Sequence, residues 1–164
     1  MTLDRPNPDA PDVRANRIPW PPILWLAAAA GAWGLGRLAP VAWPGLDDTP
    51  AHFVGRAFGL AGIALAIWAV LTLSRAKTTV MPHGRADVLV TSGPYARLRN
   101  PIYLGEVFVL LGLAELTKNI WFVAAAAVFA LTITGLQILP EERHLEARFG
   151  DAFRAYKSRT RRWI

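Results

Sequence analysis

The chain has 164 residues, 53% of them hydrophobic and only 18% charged, with a mean hydropathy of +0.27. A soluble domain of this size carries about a quarter charged residues, so a single membrane-embedded domain is the reading the composition favours. There is no cysteine, which excludes disulfides, zinc–thiolate sites, a cysteine nucleophile and iron–sulfur ligation. The net charge of +6 would suit nucleic acid. The placement of the basic residues explains it differently, and no nucleic-acid partner is expected.

Residues 1–19 hold Asp4, Asp9 and Asp12 among several prolines, and no small-residue cleavage site follows the first apolar run. They read as a flexible polar tail rather than a signal peptide. Residues 20–164 read as one domain. Its first apolar segment covers about 23–41, opened by Pro21 and Pro22, where a missing N–H costs little, and closed by Pro40 and Pro44. The second covers about 51–73, with Thr49-Pro50 as helix start. The third, 101–116, is short for a full span, and the fourth runs over 120–139. About twenty helical residues cross a bilayer core of roughly 30 Å. Little more than Thr117-Lys118-Asn119 joins the last two segments, which predicts a tight antiparallel helix pair.

Four crossings place the N-terminus, the 74–100 loop and the C-terminus on one side. Every lysine and arginine except Arg37, Arg56 and Lys118 falls there. The positive-inside rule makes that side cytoplasmic, and a bacterial inner membrane is the expected location, with the bilayer itself as partner. Beyond Pro140, which is expected to end or kink the fourth segment, Leu145, Phe149, Phe153 and Tyr156 recur at helical spacing. Gly150-Asp151 predicts a stop and a new N-cap, hence two short amphipathic helices. Their plain reading is an anchor lying on the membrane. The expected fold is all-α: four transmembrane helices with a cytoplasmic cap built from 75–100 and 140–164.

The stretch "SGPYARLRNPIYLG", residues 92–105, opens the third segment. Asn100-Pro101 predicts an N-cap followed by proline at the first helical position. Free N–H groups and the helix dipole, with Arg97 and Arg99 just before them, make an anion site suited to a carboxylate or phosphate. Gly93-Pro94 supplies a turn, and Tyr95 and Tyr103 offer aromatic faces that attract a cation. Glu141 and Glu142 lie on the same side at a low-dielectric boundary and want a cation partner, either a basic neighbour or a cationic ligand. An anion end and a cation end together fit a zwitterion, and S-adenosylmethionine is such a molecule.

"TSGPYARLRNPIYLG" followed by "EERHLEARFGDAFRAYKSRTRRW" resembles the membrane methyltransferases of the isoprenylcysteine carboxyl methyltransferase and phospholipid methyltransferase superfamily, over about residues 75–163. The resemblance implies S-adenosylmethionine as cofactor and a lipophilic membrane acceptor. It implies that Gly93, Pro94, Tyr95, Arg99, Asn100, Pro101, Tyr103, Glu141 and Glu142 border the cofactor pocket, with Arg99, Glu141 and Glu142 as the candidate catalytic residues. Two positions depart from the pattern. Asn100 replaces a histidine; it can cap a helix and donate a hydrogen bond but cannot titrate. Phe153 replaces a tyrosine, so a hydroxyl is missing there.

The acceptor stays open among three chemistries. A prenylcysteine carboxylate, the acceptor the motifs most resemble, needs no base; a phosphatidylethanolamine amine must lose a proton; a small thiol must become thiolate. A non-catalytic four-helix scaffold or transporter is the alternative of another class, although a transporter should carry polar residues near the midplane. Glu106 lies one turn into the third segment and is either functional or paired with Arg97 or Arg99. Glu115 is expected at the far interface, and Gln137, Thr132 and Thr134 in helix–helix hydrogen bonds. His52, His83 and His144 have no metal-ligand spacing, so no metal is expected. Gly34 and Gly36 read as helix packing.

Overall fold

The computed structural model describes residues 20–44, 49–76 and 88–164. The expected tail at 1–19 and residues 77–87 of the 75–100 loop, His83 among them, lie outside the described residues. The described chain is helical and contains no strand: α1 Trp20–Leu38, α2 Thr49–Arg75, α3 Pro101–Thr117, α4 Trp121–Ile133, α5 Leu139–Phe149 and α6 Asp151–Arg159. A 3-10 turn, Gly93–Ala96, precedes α3, and a π-helical turn, Thr134–Ile138, joins α4 to α5.

Two helical stretches, Thr49–Arg75 and Trp121–Phe149, are long and apolar enough to cross a membrane. α2 packs along α3, α3 against α4, and α4 against α1. The core between α1, α3 and α4 is built from Ala32, Leu110, Ala114, Phe122, Ala126, Phe129, Ile133 and Ile138. Outward-facing side chains remain apolar: Leu26, Phe53, Leu60, Val128 and Leu131 are all more than half exposed. A helix greasy on both faces suits lipid on its outer side.

α2 meets α3 through glycines. A Cβ at Gly62 would lie 2.5 Å from the Gly105 carbonyl oxygen, and one at Gly105 would lie 2.6 Å from the Gly62 carbonyl oxygen. Only hydrogen at both positions lets the backbones approach so closely. The α3–α4 turn is equally specific. Lys118 takes a left-handed conformation at the α3 C-cap, with φ of 50°. Asn119 donates to the Ala32 carbonyl at 2.9 Å and accepts from the Trp121 N–H at 3.0 Å, tying the turn to α1.

One open expectation is decided and two change. Pro140 does not end the fourth segment: the helical path continues through it to Phe149. In an α-helix the proline ring would press on the carbonyl four residues back. The wider π-turn just before it, closed by Leu139 N–H donating to the Thr134 carbonyl, relieves that crowding. The C-terminal apolar face is not free to lie on a membrane. Phe149, Phe153 and Tyr156 are buried as one cluster, with Leu89 and Leu145 packed on it. Phe153 is 1% exposed inside that cluster, where a tyrosine hydroxyl would need a partner. Finally, Asp151 is the first helical residue of α6 rather than its cap. Gly150, with φ of 52°, makes the break, and Asp151 instead accepts from Arg154 at 2.6 Å.

Candidate functional site

The segment before α3 is locked in place before it offers any chemistry. Gly93 has φ of 59°, and a Cβ there would press on the Thr72 side chain at 2.8 Å. So the turn needs glycine twice over, for its conformation and for its seat on α2. Pro94 is buried, and its carbonyl accepts from the N–H groups of Arg97 and Leu98. Tyr95 is buried with Ala69 and Val90 against the end of α2. The Tyr95 carbonyl accepts the Tyr156 hydroxyl at 2.9 Å. Burial pushes both phenols up from their ordinary value, and the charge of Glu141 raises Tyr95 further. Both therefore remain neutral donors.

The last residues of the chain lie beside this segment. Leu98 and Arg161 form an isolated parallel backbone bridge, with Arg99 N–H donating to the Arg161 carbonyl at 2.8 Å and Arg161 N–H to the Arg97 carbonyl at 2.9 Å. Side chains repeat the join. Arg99 donates to Glu142 Oε1 at 3.0 Å and to the carbonyls of Lys157 and Thr160 at 3.0 and 2.5 Å. Arg162 donates to Glu142 through two nitrogens, at 3.1 and 2.7 Å. Asn100 occupies the N-cap position of α3, yet its amide makes no cap hydrogen bond. It donates instead to the Arg162 carbonyl at 3.1 Å.

Arg99 and Glu142 were expected at opposite ends of a zwitterion pocket; the structure pairs them with each other. Their side chains are 11% and 8% exposed, so this is a buried pair with Arg162 as third member. Charges taken from water need such compensation. The result is a latch: α3, α5 and the C-terminus are held at one junction.

Below the latch lies a second polar group. Tyr103, half-buried against the core, hydrogen-bonds to Glu141. Gln137, fully buried in the π-turn, donates to Glu141 at 3.4 Å. Pro101 is buried at the first position of α3. The structure brings together Arg99, Asn100 and Glu142 in the latch, and Tyr103 and Glu141 beneath it. Gly93, Pro94 and Tyr95 form the turn seated on the end of α2.

Sequence reasoning missed Arg162, Thr160 and the buried role of Tyr156 hydroxyl. A count of charges places Arg162 within a basic tail and does not single out one member. Helical spacing places Tyr156 in a row of apolar positions and says nothing of its hydroxyl.

The other end of the helix set differs. Glu115 is 9% exposed, bonded to His52 Nδ1 at 3.2 Å and to Lys118. It borders a cavity of about 470 Å³ lined by Trp43, Val54, Leu111 and Val123. Among the described residues, no three His, Asp or Glu side chains are placed to hold a metal ion.

The sequence model of the phospholipid methyltransferase family matches residues 50–152. The cobalt-zinc-cadmium resistance protein CzcN of Cupriavidus metallidurans is 34% identical over 146 residues, covering 86% of this chain and 59% of that protein. The nickel-cobalt-cadmium resistance protein NccN of Alcaligenes xylosoxydans xylosoxydans is 31% identical over 119 residues, covering 70% of this chain and 51% of its own length. The chain therefore spans between half and two thirds of these two relatives. An uncharacterized protein of Haemophilus influenzae is 36% identical over 63 residues, 38% of this chain and all of its own. No solved structure matches. The family match takes in the start of α3 and the Glu141–Glu142 pair together, and the chain belongs to the phospholipid methyltransferase family.

Proposed function

We propose that this chain is an integral membrane methyltransferase that uses S-adenosylmethionine on a lipophilic acceptor. The observation that carries the reading is the junction itself. Residues 43 apart in sequence, Arg99 and Glu142, meet at 3.0 Å and bring the two motif segments to one end of the helix set. When bound, S-adenosylmethionine supplies a methyl group activated by a positively charged sulfur. The residues fit such a molecule. Tyr103 and Glu141 offer an aromatic face and a carboxylate to its cationic part. Arg97 is exposed and Arg162 about a third exposed at the rim, where they suit its carboxylate. The chain's contribution would be positioning, which supplies roughly 7–11 kcal/mol at its best.

Four crossings, with the termini and the junction on the cytoplasmic side of a bacterial inner membrane, complete the proposal. Basic charge on one side supports it. In this cysteine-free chain, single variants at the exposed Ser158 and Thr117 test it directly. An impermeant thiol reagent added to intact cells should label Thr117→Cys and spare Ser158→Cys. Labelling in the opposite sense would invert the topology.

The family match favours a phospholipid amine as acceptor, the motif resemblance a prenylcysteine carboxylate, and a small thiol is the third candidate. Calorimetry with S-adenosylhomocysteine and protein in lipid nanodiscs tests the cofactor. Micromolar binding is expected; a folded sample that binds nothing would end this reading. Labelled methyl transfer onto each of the three acceptors then separates them.

A further inference from the structure

One carboxylate under the junction is used by neither the latch nor the Tyr103–Glu141 bond. Glu106 stands one turn beyond Tyr103 on α3. By helical rise it lies about 9 Å deeper than Asn100. Trp25 of α1 closes over this turn, its indole N–H donating to the Glu106 backbone carbonyl at 3.2 Å. The Glu106 Oε2 atom is shut off from solvent and has no hydrogen-bond partner. Tyr103 lies within electrostatic reach of both Glu106 and Glu141.

α3, α4 and the π-turn have no lysine, arginine or histidine; α2 carries His52, Arg56 and Arg75 toward its two ends, α5 carries Arg143, His144 and Arg148 beyond Glu141, and the Arg37 of α1 lies near that helix's other end, over Trp33. Arg99 and Arg162 are engaged with Glu142. A carboxylate in a low-dielectric interior calls for a cation. An aromatic ring beside it adds attraction for the same ligand.

We propose that Glu106, with Tyr103 and Glu141, binds the organic cation that takes part in methyl transfer. The proposal rests on the methyltransferase reading and adds to it the residue that recognises charge. Two sources share the chemistry: the sulfonium of the methyl donor and the ammonium of a protonated amine acceptor.

The test uses the full chain in lipid nanodiscs and Glu106→Gln, which keeps the side-chain shape and removes the charge. In the first arm, S-adenosylmethionine and S-adenosylhomocysteine are titrated separately; they differ in charge at sulfur. In the second, protein saturated with S-adenosylhomocysteine is titrated with dodecylamine and with dodecanoate. The wild-type protein should prefer the cation in at least one arm. Glu106→Gln should cut that preference about tenfold or more, as expected for one charge at short range in a protein interior. Affinity for S-adenosylhomocysteine itself should change little. A loss in the first arm assigns the sulfonium, and a loss in the second assigns the ammonium. Unchanged ratios in both arms, with S-adenosylhomocysteine still bound, overturn the role of Glu106 alone. No binding of S-adenosylhomocysteine to the wild-type protein overturns the methyltransferase reading and this inference with it.

Discussion

Replacing Glu142 by alanine should unfasten the C-terminus before it does anything else. The carboxylate accepts from Arg99 at 3.0 Å and from Arg162 at 3.1 and 2.7 Å. Removing one partner of a buried ion pair costs about 3–5 kcal/mol, because the other charge is left uncompensated. Two features move the figure to the low end. Arg162 is about a third exposed, so water takes over much of its share. Arg99 keeps the carbonyls of Lys157 and Thr160. About 3 kcal/mol remains, a little over a hundredfold in an opening equilibrium. The reporters are the amides of Arg99 and Arg161, which bond across the Leu98–Arg161 bridge. Their hydrogen-exchange protection should fall about a hundredfold in Glu142→Ala, while amides inside α3 and α4 keep theirs. Glu142→Gln, which retains an acceptor oxygen, should fall between. Equal protection in wild type and Glu142→Ala would refute the latch. It would mean that packing of Phe149, Phe153 and Tyr156 alone holds the C-terminus.

Gly62→Val should destabilise the protein by about 1–3 kcal/mol through overpacking against the Gly105 carbonyl and Phe108, whereas Gly34→Ala, with nothing within 4 Å, should be neutral or slightly stabilising; thermal unfolding in one detergent compares them. Asn119→Ala removes the bonds to Ala32 and Trp121 and should cost about 1–2 kcal/mol in the same assay. The buried phenols of Tyr95 and Tyr156 set an alkaline limit. Their folded-state pKa values are raised, so their contribution is complete below about pH 10, the ordinary phenol value. Above it the unfolded chain releases protons that the folded chain retains, and stability should fall by about 1.4 kcal/mol per pH unit for each group. A protein whose melting temperature is level from pH 9 to pH 11 would contradict this.

Much was legible in the chain alone because it depends on neighbours in sequence. Apolar runs of about twenty residues, Pro101 at a helix start and the break at Gly150 are local features, and the structure places helices from Pro101 and on either side of Gly150 accordingly. The motif pair around Asn100 and Glu141–Glu142 pointed to the family that the comparison then gave. What the chain could not disclose were choices among partners of equal type. Any of several arginines could have met Glu142; the fold selects Arg99 and Arg162 because the chain end runs beside the turn before α3. Asn100 has the residue type of a cap, yet a carbonyl within reach claims its amide. Pro140 has the residue type of a helix stop, yet a π-turn accommodates it. Hydrophobicity and helical period are carried by single residues and their spacing. A hydrogen bond or ion pair forms only between groups brought within about 3 Å, and that distance is decided by the tertiary fold.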